Sequence, residues 1–165
     1  MTRIFRHTVA CAAFVLSVFS LTACTPPSYI NTENLGTPVV SEAEITRLIA
    51  GNSFRGGDGY AYHGPDGALK YVADDSSWIV AGSWRVHTVL GSSKLCEETT
   101  EHGLQNGKTQ SRGPYQACYV VFLKPDGSLA LDKMGGSNFS YGKPIKGFLK
   151  KTQFEAARRK LGVPL

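Results

Sequence analysis

The sequence lacks an apolar run long enough for a permanent transmembrane helix. Its most apolar stretch, residues 8–23, is sixteen residues long, whereas a hydrocarbon core of roughly 30 Å takes about 20. It also lacks the cysteine pattern of a zinc site. There are four cysteines, but no paired Cys motifs and no histidine at finger spacing. No metal or other cofactor is expected. No Ser or Cys nucleophile has a histidine at a recognisable spacing, so chain order supplies no triad. A phosphate-binding loop is missing too: Gly107-Lys108-Thr109 would need a glycine at position 102, which is His102.

What is present begins with Arg3 and Arg6 in an acid-free segment, then the short apolar run, then small residues. This is the layout of a secretory signal rather than a membrane span. The run ends Leu21-Thr22-Ala23-Cys24, which resembles the lipobox of bacterial lipoproteins. The resemblance implies cleavage after residue 23, acylation of Cys24 and attachment to a membrane of the cell envelope. In enterobacterial lipoproteins an Asp after the cysteine retains the protein at the inner membrane. Thr25 stands here, which favours the periplasmic face of the outer membrane. Residues 24–40, rich in Pro, Thr, Asn and Gly at their start, read as a flexible tether. Residues 41–165 read as a single domain, with one core's worth of chain.

Cleavage removes Cys11 and acylation occupies Cys24, leaving Cys96 and Cys118. In an oxidising compartment these two should pair. Closing that loop is worth about 3 kcal/mol on a chain-entropy basis. Charge is divided unevenly. Residues 24–142 carry 9 Lys/Arg against 12 Asp/Glu, and residues 143–165 carry 7 against 1. A basic tail in this compartment points to anionic lipid or cell-wall polymer as partner rather than nucleic acid, and a merely solvated basic helix explains it equally well.

Two helices have end signals. Ser41-x-x-Glu44 is a capping box, with Val40 placed to staple onto Ile45, and Ile45, Leu48 and Ile49 form one stripe before Gly51. Thr152-x-x-Glu155 is a second box, followed by Phe154, Ala157 and Leu161 on one face and Gly162 as terminator. Between the helices the pattern is β. Gly64-Pro65-Asp66-Gly67 and Lys124-Pro125-Asp126-Gly127 are matched turns, flanked by Tyr60-x-Tyr62 and Val120-x-Phe122 before them and by Leu69/Tyr71 and Leu129/Leu131 after them. A further pair is expected at 78–90 and 95–99, joined through 91–94. Residues 100–114 are expected as a long polar loop. The fold class is therefore mainly β (α+β): a small antiparallel sheet or barrel of about six strands in hairpin order, a short N-terminal helix and a basic C-terminal helix.

Leu48-x-x-Gly51-Asn52-Ser53-x-x-Gly56, Tyr62-x-x-Pro65-Asp66-Gly67 and Gly82-x-Trp84-x-Val86, with Cys96 and Cys118, resemble a loose group of small secreted alphaproteobacterial β domains. Gly82-x-Trp84 with a disulfide also resembles the periplasmic protease-inhibitor barrels. Both resemblances imply a fold and a compartment, and neither implies catalytic residues.

Candidate chemistry is sparse. Ser140-Tyr141-Gly142-Lys143 matches the S-x-x-K string of penicillin-binding enzymes, but it lies in a Gly-rich stretch without the partner motifs. Glu97, Glu98, Glu101 and His102 are the densest group of acid–base or ligand side chains. A helical turn would unite the last three, but no motif supports a site, and a solvated acidic loop is the favoured reading. Tyr60 and Tyr62, with Arg158, Arg159 and Lys160, are candidate binding residues. These features favour a non-enzymatic binding or envelope-assembly module. The alternatives are a small enzyme acting on glycan or peptidoglycan, or a barrel-type protease inhibitor. Cys24→Ser should abolish incorporation of labelled palmitate and leave the chain unprocessed; undiminished labelling would refute the lipobox reading.

Overall fold

A computed structural model describes residues 35–133 and 137–164; the signal, Cys24 and most of the expected tether lie outside them. Within the described residues no helix is long and apolar enough to cross a membrane. The chain is mainly β, an antiparallel sheet with two helices. The strands are β1 (Thr37–Val39), β2 (Asn52–Gly56), β3 (Gly59–His63), β4 (Ala68–Ala73), β5 (Trp78–Val89), β6 (Ser92–Gln105), β7 (Lys108–Leu123), β8 (Leu129–Lys133), β9 (Ser137–Tyr141) and β10 (Ile145–Lys146). Helix α1 (Glu42–Ile49) follows β1, and α2 (Lys151–Leu161) ends the fold.

The sheet has ten strands rather than about six, in the order β10-β2-β3-β4-β5-β6-β7-β8-β9, with β1 on β7. The three expected hairpins are β3–β4, β5–β6 and β7–β8. The added strands are short and come from stretches where polar residues, Gly and Pro hide the alternation. One of them, β1, trims the expected tether: Val39 is buried and pairs with Val121, so the ordered domain begins before residue 41.

The largest departure is at 100–114, which is strand and not loop. Asn106 and Gly107 take φ of +53° and +72°. This two-residue turn matches strand twist, and it joins β6 and β7 into a long ribbon. The turn between β5 and β6 is likewise only Leu90-Gly91, so Ser92 and Ser93 already belong to β6. Cys96 and Cys118 face each other across the ribbon and are bonded, with an S–S distance of 2.07 Å.

Residues paired across neighbouring strands point to the same face. On one face lie Phe54, Ala61, Leu69, Trp84, Leu95, Tyr119, Val121, Leu129 and Leu131, all in one core cluster with Ile45, Leu48 and Ile49 of α1. The sheet curls around that cluster until β9 returns to β2. There Gly142 N–H donates to the Arg55 carbonyl at 2.8 Å, and Tyr141 stacks on Phe54 at 5.0 Å. On the outer face, α2 covers Val72 and Ile79 with Phe154, Ala157 and Leu161.

Helix α1 starts as expected, with the Ser41 hydroxyl accepting from Glu44 N–H. Val40, however, is exposed and makes no staple; Val39 takes the buried place. Helix α2 begins after Lys150 without a side-chain cap, so Thr152 is not its N-cap. Complete burial of Phe154 sets its phase instead.

The two Pro-Asp-Gly turns repeat one design. The Asp66 carboxylate accepts from Ala68 N–H and that of Asp126 from Ser128 N–H, while Gly67 and Gly127 take φ of +83° and +84°. Nothing lies within 4 Å of a β-carbon built on Gly127, so only backbone strain opposes a side chain there. Gly127→Val should cost about 1–2 kcal/mol and lower the melting temperature by several degrees; an unchanged midpoint would rule out the left-handed turn.

Candidate functional site

Beyond the apolar core, the inner face of β5, β6 and β7 continues outward as a groove. The β5–β6 register sets Trp84 opposite Glu97, Gly82 opposite Thr99, Val80 opposite Glu101 and Trp78 opposite Gly103. Ala117, Tyr115, Arg112 and Gln110 follow on β7, past a register shift between Thr99 and Glu101. Two adjoining cavities share Glu101 as a wall. One, of about 370 Å³, is lined by Glu97, Thr99, Tyr115, Tyr119 and Lys133. The other, of about 290 Å³, is lined by Trp78, Gln105, Gln110 and Arg112. Gly82 permits this shape, because a β-carbon there would fall 2.0 Å from the Glu98 carbonyl oxygen.

At the inner end of the groove sits a buried polar pair. His63 Nε2 and Glu97 Oε1 are 2.9 Å apart, with side-chain exposures of 0% and 9%. Edge-on contacts from Phe54, Trp84 and Tyr141, at 5.7, 5.7 and 5.8 Å, confine the imidazole. Its Nδ1 is buried without a hydrogen-bond partner among the described residues, a cost of about 1–3 kcal/mol. His63 thus fixes one oxygen of Glu97 and is itself out of a ligand's reach. Trp84 is pinned by its own N–H to the Gly64 carbonyl, 2.9 Å away.

At the outer end Trp78 is half-buried and stacks on Tyr71 at 4.8 Å. The Tyr71 hydroxyl donates to the Asp58 carboxylate at 2.5 Å. Burial first, and Asp58 next, hold the Tyr71 phenol far above its ordinary value. The tryptophan face is therefore backed by a ring that cannot swing away.

The Glu97, Glu98, Glu101 and His102 group divides because it lies on a strand. Glu97 and Glu101 take the groove face. Glu98 binds Gln116 at 2.9 Å and His102 binds Ser111 at 2.8 Å on the other face. Tyr60 and Tyr62 lie outside the curl. Arg55 and Lys150 flank Tyr60 at 5.1 and 5.4 Å, and Tyr62 stacks on Phe148 at 4.5 Å. Arg159 and Lys160 are exposed at the far end of α2. Arg158 is committed to Glu155 and the Val163 carbonyl, each at 3.0 Å. These five residues therefore do not form one site. Ser140 lies on β9, where its hydroxyl accepts from Lys124 Nζ rather than opening a helix. Among the described residues no group of three His, Cys, Asp or Glu is placed to hold a metal.

Arg112 and the pairing of His63 with Glu97 were missed from sequence. Two signals were available. Glu97 shares the face of Leu95 by period two, and Asn106-Gly107 marks a tight hairpin. Set against protein-family models, curated proteins and solved structures, the chain matches none of them.

Burial, then the Glu97 carboxylate, pushes the Tyr119 phenol up to about 12. Tyr141 is raised well above its ordinary value by burial first and Glu97 second. An unfolded tyrosine ionises near pH ~10. The neutral phenols therefore contribute stability that is fully present below that pH and lost as pH climbs through the folded values. The melting temperature should fall steeply between pH ~10 and ~12, and Tyr119→Phe should make that fall shallower. An identical alkaline limb in the variant would refute the assignment.

Proposed function

We propose that the chain is a lipid-anchored envelope protein whose domain binds cell-wall glycan in the β5–β6–β7 groove without turning it over. The observation that carries this reading is the Trp78 platform, backed by Tyr71 and bordered by Glu101, Gln110 and Arg112. A sugar ring offers an apolar C–H face and a rim of hydroxyls. A rigid aromatic surface beside a carboxylate, an amide and a guanidinium complements both. Tyr115, about half exposed at the inner cavity, offers a second ring along the same groove, as a chain of sugars requires. The lipobox resemblance supports a position beside the wall for such a domain.

Two features favour binding over hydrolysis. Glu97 and Glu101 are four residues apart on one strand, about 13 Å of rise at roughly 3.3 Å per residue. Glycosidase carboxyl pairs stand about 5–9.5 Å apart. His63, bonded to Glu97, is sealed from solvent, and His102, next to Glu101, is bonded to Ser111. One observation favours the inhibitor reading instead: the ribbon tip, residues 104–116, is exposed throughout.

Soluble glycan fragments of the wall should change the indole fluorescence, which reports mainly Trp78 because Trp84 is buried. Trp78→Ala, with binding read by calorimetry because the reporting indole is gone, should weaken binding at least about tenfold, the scale of removing a stacked aromatic anchor, with the melting temperature held. Arg112→Gln should weaken it less. Undiminished binding by Trp78→Ala would dismiss the groove, release of new reducing ends would restore the enzyme reading, and nanomolar capture of a wall-degrading enzyme through the ribbon would favour inhibition.

A further inference from the structure

Leu90 is fully exposed, at 102%, and adopts φ +49° in the turn between β5 and β6. A branched L-residue is strained in that conformation, which Asn or Gly takes readily. The opposite end of β6 uses Asn106-Gly107 for the same kind of turn, so the conventional solution is already in the fold. Leu90 does not repay its strain through packing within the domain. It has apolar company: Val89 is 46% exposed and Val40 59%. Val40 lies against this hairpin, its carbonyl accepting from Ser93 N–H at 3.3 Å, and Ser93 pairs with Thr88.

The end of the domain at which Gly36 and Thr37 lie points to the partner of this tip. Leu95 pairs with Tyr119 in an antiparallel ladder. Stepping back along β6 sets the Leu90-Gly91 turn level with the Leu123 end of β7. Thr37 pairs with Leu123, and Gly36 packs so closely there that a β-carbon would fall 2.4 Å from the Leu123 carbonyl oxygen. The chain leading back to Cys24 therefore leaves the domain at the end that carries the tip. The thirteen peptide steps from Cys24 to Thr37 span at most about 45 Å.

We infer that Val40, Val89 and Leu90 form a wedge that enters the interfacial zone of the lipid bilayer. The inference rests on the proposed lipid anchor. Aliphatic side chains held at a membrane surface gain by leaving water for the acyl boundary. Thr88 and Glu42, hydrogen-bonded to each other at 3.2 Å beside the wedge, stay at headgroup level. Docked this way, the domain points β6 outward. Its fourteen residues reach about 45 Å, and they carry the groove away from the membrane.

The test uses the mature protein in phospholipid vesicles. With Cys24 acylated and Cys96 bonded to Cys118, Leu90→Cys supplies a single thiol for an environment-sensitive fluorophore, and Asn106→Cys supplies the remote control. Lipid-borne quenchers should quench the label at position 90 and spare that at 106. Equal quenching at the two positions, or none at 90, overturns the wedge. The mass of the N-terminal peptide reads the anchor separately. An acyl chain with an unquenched position 90 sinks the wedge alone, and the lack of an acyl chain on Cys24 sinks the anchor whatever the label reads. Leu90→Asn should raise the melting temperature while lowering vesicle partitioning of the domain end at least about tenfold. A rise in stability with no loss of membrane contact would mean the leucine has no lipid partner.

Discussion

A single antiparallel sheet this size has two faces to satisfy and only two short helices to cover them. The constraint that organises the rest is that one face must be filled by the sheet itself. Strands that never pair have to bring side chains together: Phe54 of β2 with Tyr141 of β9, and His63 of β3 with Glu97 of β6. The second contact sets the boundary of the dry interior. On one side of it lie Ile45, Leu95, Leu129 and Leu131, each without measurable exposure. On the other side the inner face turns polar and opens to solvent. A buried polar contact is not strongly stabilising in itself, since desolvation of its two groups offsets the hydrogen bond. Its value here is that it terminates the core at a defined depth and holds a carboxylate still at the head of the groove.

How far this was legible from sequence depends on the residue in question. The matched Pro-Asp-Gly turns, the Ser41 cap and the Ile45–Leu48–Ile49 stripe are local devices, and local devices can be read in order along the chain. The cysteine pair was readable by counting. The ribbon was not, because polar residues fill both faces between His102 and Pro114, so alternation gives no contrast; only the Asn106-Gly107 pair marks it. The curl was hidden for a different reason. It depends on which strands meet without forming a ladder, and no period in the sequence records that. Trp78 reads as one more core aromatic until Gly103 is found opposite it, leaving its face uncovered.

The charge split between the two parts of the chain was plain in the sequence, but its use was not. The basic segment becomes β10, a linker and α2, and its cations disperse around the outside of the sheet. Lys150 settles on Tyr60, Arg158 closes the end of its own helix, and only Arg159 and Lys160 remain together at the surface. A run of like charge along the chain is a patch in space only when one element carries it on one side, and α2 spends its best-defined side on Phe154, Ala157 and Leu161.

The ribbon that lengthens the groove also leaves one flank of the sheet bare. Along residues 108–116, β7 is bonded to β6 on one side, and β1 and β8 join it only from Tyr119 onward. A row of free backbone donors and acceptors is a template for any passing strand. Pro114 removes one donor from that row, Lys108 and Arg112 set charge along it, and the irregularity between Thr99 and Glu101 bends it out of line. A second strand laid along that edge would lengthen the sheet, and these few residues oppose such pairing while the same strand stays open as a wall of the groove.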